Sequence, residues 1–153
     1  MKVQLPEIKL MGMSTKTNNR LEASIHTSGV HKLFMDYFVK GACQQVKNKI
    51  SQGKLYVVYT EYESEMHGDY TCFIGDEVSD FEDAPGLTNF TIPSQTYLEY
   101  VNGPGEPAKL AAESWMKIWG AQLPRTYKAD FDLYDLTAKD PKKVTVRTYV
   151  AVE

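Results

Sequence analysis

The chain carries the same order of sequence features twice, and this repetition constrains the fold more strongly than any single motif. Leu5-Pro6 stands near the start of the first half, and Ile92-Pro93 occupies the equivalent place in the second half. Residues 56–59 (Tyr-Val-Val-Tyr) align with residues 131–134 (Phe-Asp-Leu-Tyr). An internal repeat indicates two copies of one structural unit. We therefore predict two βαββ units, each of which would expose a sheet edge and an apolar face without its partner.

The first unit is predicted from changes in hydrophobic periodicity. Residues 3–13 form a strand that Pro6 interrupts, and a polar turn follows at residues 15–19. Apolar residues spaced three and four apart from Val30 to Ile50 predict an amphipathic helix, with Ser28 as its N-cap and its end at Ser51-Gln-Gly53. Strands 55–63 and 70–78 are then expected to form a hairpin around a turn at residues 67–69.

The second unit follows an acidic linker at residues 79–86. We predict a strand at 90–101, a turn-rich loop at 102–107, a helix at 108–120, and a closing hairpin of strands 131–137 and 144–152. The expected fold is α+β: one domain, residues 1–153, of two tandem repeats at about 3–80 and 88–153. Its strands would form an antiparallel sheet that carries both helices on one face.

Composition and charge exclude several classes of function. The formal net charge is -3 and the basic residues are dispersed, so direct nucleic-acid binding is not expected. The chain shows neither the apolar run of a signal peptide nor a stretch approaching a membrane span, so we expect a cytoplasmic protein without a membrane partner. Two cysteines and three histidines lack metal-ligand spacing, which predicts reduced thiols, no metal and no cofactor.

Strand alternation suggests where a site could lie. Successive side chains face opposite sides of a strand, so Phe131 and Leu133 share one face, expected to be the core under the helices. Asp132 and Tyr134 share the other face. Glu61 is expected near the same cleft, because the repeat alignment makes Tyr59, on its strand face, the counterpart of Tyr134. For both carboxylates, simple solvation at a sheet surface is the alternative.

Several segments resemble the effector-binding domains of the GyrI-like superfamily, which also occur in AraC-type regulators. The first half contributes residues 55–63 and 67–75. The second contributes residues 90–97, 112–119, 123–127, and Ala129-Asp-Phe-Asp-Leu-Tyr134. Together these motifs span nearly the whole chain from about Val3. Among the members, the sequence is most similar to the stand-alone integron-cassette effector-binding proteins.

The resemblance implies a cleft between the two repeats that receives small, often cationic and amphipathic compounds. The family motif Asp-Phe-Glu-x-Tyr places a glutamate where this chain has Asp132, whose shorter arm suggests a changed ligand geometry or a weaker contact with a cation. An unpaired carboxylate in an aromatic cleft favours a cationic partner. The candidate ligand-binding residues are Asp132, Glu61, Tyr59, Tyr97, Tyr134, Tyr149 and Trp119. For Trp119 and its helix neighbour Trp115, core packing is the favoured alternative.

We therefore predict a stand-alone effector-binding protein that acts in transcription regulation or drug sensing, through a separate protein partner, as a monomer or weak homodimer. Catalysis is not expected, because the chain has neither a G-x-S-x-G elbow nor a recognisable pair of nucleophile and base. One alternative is a hydrolase, as in some GyrI-like relatives, with Glu61 or Asp132 as general base. Another is a protein-interaction module that docks the acidic stretch 76–83 on a partner such as DNA gyrase.

Overall fold

The computed structural model describes residues 1–22, 28–50, 53–63, 68–137, 139–140 and 142–153. These residues form an α+β fold built on one curled antiparallel sheet with few helices, which confirms the predicted class. The order of the strands across the sheet is β1-β6-β8-β7-β3-β4-β2-β5. The strands are β1 Lys2–Leu5, β2 Ile8–Thr17, β3 Lys54–Thr60, β4 Tyr70–Glu77, β5 Thr88–Ile92, β6 Gln95–Gly105, β7 Ala129–Asp135 and β8 Val144–Ala151.

Two prolines explain how the sheet curls. Pro6 separates β1 from β2, and Pro93 separates β5 from β6, because proline cannot donate a ladder hydrogen bond. β1 pairs with β6, and β2 pairs with β5. The segment β1–β2 and the segment β5–β6 therefore lie beside each other on both sides of their prolines. Because β1 and β5 are the edge strands, this pairing brings the two edges of the sheet together. The single strands predicted at 3–13 and 90–101 are thus each two strands.

The ends of two strands also differ from the prediction. β2 continues to Thr17, through the turn expected at residues 15–19, because it stays paired with β4 up to Tyr70. β6 continues to Gly105, through the loop expected at 102–107, with a register shift between Asn102 and Gly105 in its pairing with β8. Backbone pairing with a neighbouring strand therefore outweighs the local turn propensity of these residues.

The helices are shorter in the first half than in the second. They are α1 Asn19–Glu22, α2 Gly29–Phe34 and α3 Pro107–Gly120, and a π-helical turn at Met35–Val39 and a 3-10 turn at Ala42–Gln45 follow α2. The Oγ of Ser28 accepts a hydrogen bond from the backbone N–H of His31 at 3.0 Å, so the predicted N-cap is confirmed. None of the helices in the described ranges has the length and hydropathy that crossing a membrane requires.

The helix predicted to continue to Ile50 ends earlier. Gly41 has a φ of 87°, a left-handed conformation that glycine adopts at little cost and that interrupts the helix. Beyond the 3-10 turn the chain is extended at Val46, and Lys49 forms an isolated bridge with Val78. The expected helix end at Ser51 and the turn residue His67 lie outside the described residues.

One face of the sheet is buried within the curl, and its core consists of strand residues. Phe131 stacks on Tyr149 with ring centroids 4.7 Å apart, and Tyr97 meets Phe131 edge-on at 5.3 Å. Leu133 packs against the same cluster. The expectation that Phe131 and Leu133 form the core under the helices is therefore wrong, because the curled sheet buries this face against itself. Members of this cluster are Ile8, Leu10, Tyr56, Val58, Phe73, Ile92, Tyr97, Ala129, Phe131, Tyr149 and Ala151.

The helices pack on side chains that alternate with that inner core. Leu33 of α2 clusters with Val57 of β3. In α3, Ile118 clusters with Val150 of β8. The register pairs Val57 with Asp132, and Asp132 in turn with Thr148. Because paired residues in antiparallel strands point to the same side, Asp132 lies among the residues on which the helices pack.

Candidate functional site

A cavity of about 570 Å³ lies beside α2 and α3, and both halves of the chain contribute to its wall. Its lining is mostly apolar and aromatic, which is typical of small-molecule sites. The first half contributes Glu22, Ser28, Val30, His31, Phe34, Met35, Leu55, Val57, Tyr59, Tyr62, Tyr70 and Ile74. The second half contributes Pro107, Ala108, Ala111, Ala112, Trp115, Trp119, Arg125, Tyr134 and Leu136.

Asp132 lies beneath this wall and is fully buried. Its Oδ2 accepts hydrogen bonds from Trp115 Nε1 at 3.0 Å and from Tyr59 Oη at 3.1 Å. Its Oδ1 accepts a hydrogen bond from Thr148 Oγ1 at 2.5 Å. Trp115 and Tyr59 both line the cavity, so they connect its wall directly to the buried carboxylate.

The three donors to Asp132 are neutral. Burial raises the pKa of this carboxyl to about 6, although the hydrogen bonds from Thr148, Trp115 and Tyr59 favour the ionised form. Among the described residues, none of the ion pairs of lysine, arginine or histidine includes Asp132. The site therefore holds a negative charge in an apolar setting without a protein cation against it.

A second buried carboxylate, Asp130, differs because it has a cationic partner. Its Oδ2 accepts from Arg125 Nη2 at 2.8 Å and from Tyr62 Oη at 2.7 Å. Its Oδ1 accepts from the backbone N–H of Ala151 at 2.7 Å. The guanidinium of Arg125 lies over the Tyr127 ring at 4.2 Å. The positive charge in the cavity wall is thus already balanced by Asp130.

Aromatic rings form much of the wall near Asp132. The Tyr59 ring meets Trp115 edge-on at 5.2 Å and Tyr70 at 5.9 Å, and Trp115 lies 6.4 Å from Trp119. Tyr62 is 5.7 Å from Tyr70. The hydroxyl of Tyr59 is held by a buried carboxylate, so its ring is fixed against the cavity. Such a wall suits the attraction between a cation and the π-electrons of aromatic rings.

Glu22 is a carboxylate in the cavity wall itself. Its Oε1 accepts from Ser28 Oγ at 2.6 Å and from the Val30 backbone N–H at 3.4 Å. Its Oε2 accepts from Thr17 Oγ1 at 2.5 Å and from the Gly29 backbone N–H at 2.8 Å. Four protein donors therefore surround this half-buried carboxylate at the start of α2.

The residues expected to bind a ligand fall into separate places. Tyr59, Tyr134 and Trp119 line the cavity, and Asp132 lies beneath them. Glu61 is exposed and does not contribute to the lining. β3 ends at Thr60, and Glu61 has a φ of 53°, so the chain leaves the strand alternation on which the placement of Glu61 was based.

Tyr97 and Tyr149 require a correction, because they lie in the core on the opposite side of the sheet. Tyr97 is fully buried and its Oη receives a hydrogen bond from Gln95 Nε2 at 2.6 Å. The Tyr149 hydroxyl donates to Glu99 Oε2 at 2.6 Å. Tyr149 pairs with Phe131 rather than with Asp132, which places its ring in the inner core.

The site also contains Thr148, Trp115, Glu22 and Arg125, which were not among its predicted residues. Thr148 could have been found, since the predicted hairpin of 131–137 and 144–152 places some residue of its second strand opposite Asp132. Trp115 was seen only as a helix-face residue, and its bond to Asp132 depends on how α3 packs. Glu22 and Arg125 carried no local signal, because tertiary packing brings both to the cavity.

The acidic stretch 76–83 does not form a continuous charged surface. Asp76 is buried, accepts a hydrogen bond from Tyr37 Oη at 2.5 Å, and lies 3.7 Å from Lys49 Nζ. Glu77 accepts from Tyr56 Oη at 3.1 Å. Several of these carboxylates therefore serve internal contacts. In the part of the chain that the structure describes, no group of His, Cys, Asp and Glu residues could hold a metal ion.

The curled sheet with an aromatic-walled cavity beside its helices has the form of a small-molecule-binding domain. The sequence matches the family of integron-associated effector binding proteins, Cass2, over residues 3–152. The chain belongs to this family, which confirms the resemblance drawn from the motifs of both halves.

Three relatives illustrate the similarity. The chain is 26% identical over 149 residues to YobU of Bacillus subtilis (strain 168), provisionally named a transcriptional regulator, with 95% of this chain and 92% of YobU covered. The integron cassette protein VCH_CASS2 of Vibrio cholerae has a TM-score of 0.80 at 22% identity, covering 100% of this chain and 95% of its own. SAV2435, solved bound to tetraphenylphosphonium, has a TM-score of 0.73 at 17% identity, covering 100% and 93%. The two solved structures share the fold.

Proposed function

We propose that this protein captures a small amphipathic cation in the cavity beside α2 and α3, with Asp132 as the buried negative charge and aromatic side chains as walls. The observation that carries the proposal is the placement of Asp132, fully buried and bonded to three neutral donors. Removing a charge from water is costly, and a cation in the cavity compensates part of that cost.

The aromatic wall adds to the attraction. Each ring beside a bound cation contributes about 0.5–2 kcal/mol. Because Tyr59 and Trp115 cover Asp132, the cation lies against the rings and meets the carboxylate through them. This arrangement fits an aspartate in place of the family glutamate, since the shorter side chain stays beneath the wall. The relative solved with tetraphenylphosphonium supports a ligand of this charge and size.

We also infer that residues 1–153 are one effector-binding domain, made of the repeats at about 3–80 and 88–153, with both helices on one face and the cleft between the repeats. The counterparts of β1, β2, β3 and β4 are β5, β6, β7 and β8. When each strand is exchanged with its counterpart, the strand order across the sheet becomes the original order reversed. The Val57–Asp132 pair is the midpoint of the β3–β7 register. Asp132 thus lies where the two repeats meet.

We propose further that ligand capture serves transcription regulation or drug sensing through a separate protein partner, with this chain a monomer or weak homodimer. The provisional name of the regulator relative supports this role. The geometry does not favour a hydrolase, because Glu61 lies outside the lining and Asp132 is covered by three donors. The geometry also does not favour a protein-interaction module that docks through the acidic stretch 76–83, since Asp76 and Glu77 accept hydrogen bonds from within the protein.

The test compares a cation with a neutral molecule of similar shape by thermal unfolding. Tetraphenylphosphonium at about 100 times its dissociation constant should stabilise the protein by about 2.7 kcal/mol. Triphenylphosphine oxide, which has no net charge, should stabilise it far less. Asp132→Asn should remove most of the gain, whereas Asp135→Asn, on the same strand but outside the lining, should retain it. Equal stabilisation by both compounds would refute a charge-based site.

A further inference from the structure

The acceptor positions of Glu22, a carboxylate in the cavity wall, are already used by the protein. A carboxylate has about four positions for accepted hydrogen bonds. Glu22 receives donors from Thr17, Ser28, Gly29 and Val30, two on each oxygen. A bound cation is therefore attracted by the charge of Glu22 but finds no free acceptor position on its carboxylate.

The buried carboxylates behind the wall come close to this state, since three of about four positions are filled on each. Asp132 receives three donors, and Asp130 receives Tyr62, Arg125 and a backbone N–H. An ammonium ion with N–H groups loses its hydrogen bonds to water when it enters such a cavity and finds no free acceptor position on Glu22. A cation without N–H groups has no such bonds to replace.

Glu22 is the carboxylate that lies in the wall itself, whereas Asp132 lies behind Tyr59 and Trp115. The charge of Glu22 acts on groups at the cavity. The pKa of Tyr70 is raised mainly by burial and then by the negative charge of Glu22. Burial raises the pKa of the Cys72 thiol, and the negative charges of Glu22 and Asp132 raise it further. The charges of the two carboxylates therefore act on one residue of β4, Cys72.

We propose that Glu22 is a specificity-determining residue, whose carboxylate contacts the bound cation directly and, with its acceptor positions filled by protein donors, selects quaternary onium ions over ammonium ions that carry N–H groups. This inference rests on the proposed function of the cavity. It assigns to the first half of the chain a charge that complements Asp132 in the second.

The test uses two probes with one positive charge each, trimethyl(4-phenylbutyl)ammonium and 4-phenylbutylammonium, in titration calorimetry. The trimethyl probe should bind about tenfold more tightly, because the primary ammonium loses its hydrogen bonds to water and Glu22 offers no free acceptor position to replace them. Glu22→Gln should lower the affinity for the trimethyl probe about fivefold, because a nearby negative charge is lost. Glu61→Gln, the same chemical change at an exposed position outside the lining, should leave both affinities unchanged.

A second variant separates ligand selection from a purely structural role of Glu22. Ser28 lines the cavity and donates to Glu22 Oε1, so Ser28→Ala opens an acceptor position at the wall. The preference for the trimethyl probe should then fall by about threefold. This measurement also decides the matter where Glu22→Gln does not fold.

The inference would be overturned by equal binding of the two probes to the unaltered protein, or by a preference that Ser28→Ala leaves unchanged. Full affinity for the trimethyl probe in folded Glu22→Gln would also contradict it. If the trimethyl probe binds and needs Asp132 but not Glu22, this inference fails while the proposed function stands. If no cation binds, the proposed function itself fails.

Discussion

The affinity of the cavity for a cation should fall when the pH drops from about 7.5 to about 5. Burial raises the pKa of Asp132 to about 6 in the free protein, so its carboxyl group gains a proton across this interval. A bound cation favours the ionised form and lowers that pKa. Binding at the lower pH must therefore expel a proton, which weakens it.

The size of the effect follows from the two protonation states. With a pKa of about 6, roughly ten in eleven free molecules carry the proton at about pH 5, and few carry it at about pH 7.5. If the cation returns the pKa to about 3.9, the dissociation constant rises about tenfold between these conditions. A smaller return of the pKa gives a smaller rise, so tenfold is the upper bound.

The stability of the free protein should change in the opposite direction. The pKa of Asp132 is higher in the folded than in the unfolded protein. Its contribution to the free energy of unfolding is therefore fully present below about pH 4 and is lost as the pH rises through about 6. The difference of about two pKa units corresponds to a loss on the order of 3 kcal/mol. Urea unfolding of the unaltered protein and of Asp132→Asn over this range isolates the contribution of Asp132.

The assay is isothermal titration with tetraphenylphosphonium at several pH values. Asp132→Asn provides the control without the titrating group and should show no such slope. His31 also lines the cavity, so His31→Gln is measured in parallel. An affinity that stays constant in the unaltered protein, or an equal slope in Asp132→Asn, would refute the reasoning.

Three further predictions concern stability and are measured by chemical denaturation. Thr148→Val removes a donor to the buried carboxylate of the site and should cost about 2 kcal/mol; a negligible cost would contradict the bond. Arg125→Met leaves Asp130 without its cation and should cost about 3–5 kcal/mol, and adding Asp130→Asn should recover much of the loss. Gly12→Ala would place a Cβ 1.8 Å from a carbonyl oxygen of β4, so it should destabilise strongly, whereas Gly120→Ala, which has open space, should not.

Much of the architecture was predictable because its signals are local. The spacing of apolar residues identified α3 to within one residue at its start, and Ser28 was identified as an N-cap from its place before the apolar pattern. The alternation of strand residues separated Asp132 and Tyr134 from Phe131, which is what the registers show. The motifs also indicated the family to which the chain belongs.

The parts that failed depend on interactions between distant segments. Tyr97 and Tyr149 are aromatic strand residues like Tyr59, and the sequence does not say on which side of a curled sheet each ring lies. Glu61 follows the right alternation, but its strand ends one residue earlier. The helix expected to continue to Ile50 is interrupted at Gly41, where the left-handed backbone overrides the apolar periodicity.

The sequence by itself determined the α+β class and the face on which Asp132 lies, because propensity and alternation depend on neighbouring residues. Only the tertiary structure decided that this face carries the cavity. Closure of the sheet through the segments broken at Pro6 and Pro93 buries the opposite face. The packing of α3 then places Trp115 over Asp132. Burial and the neutral hydrogen-bond donors together set the pKa of this carboxyl group.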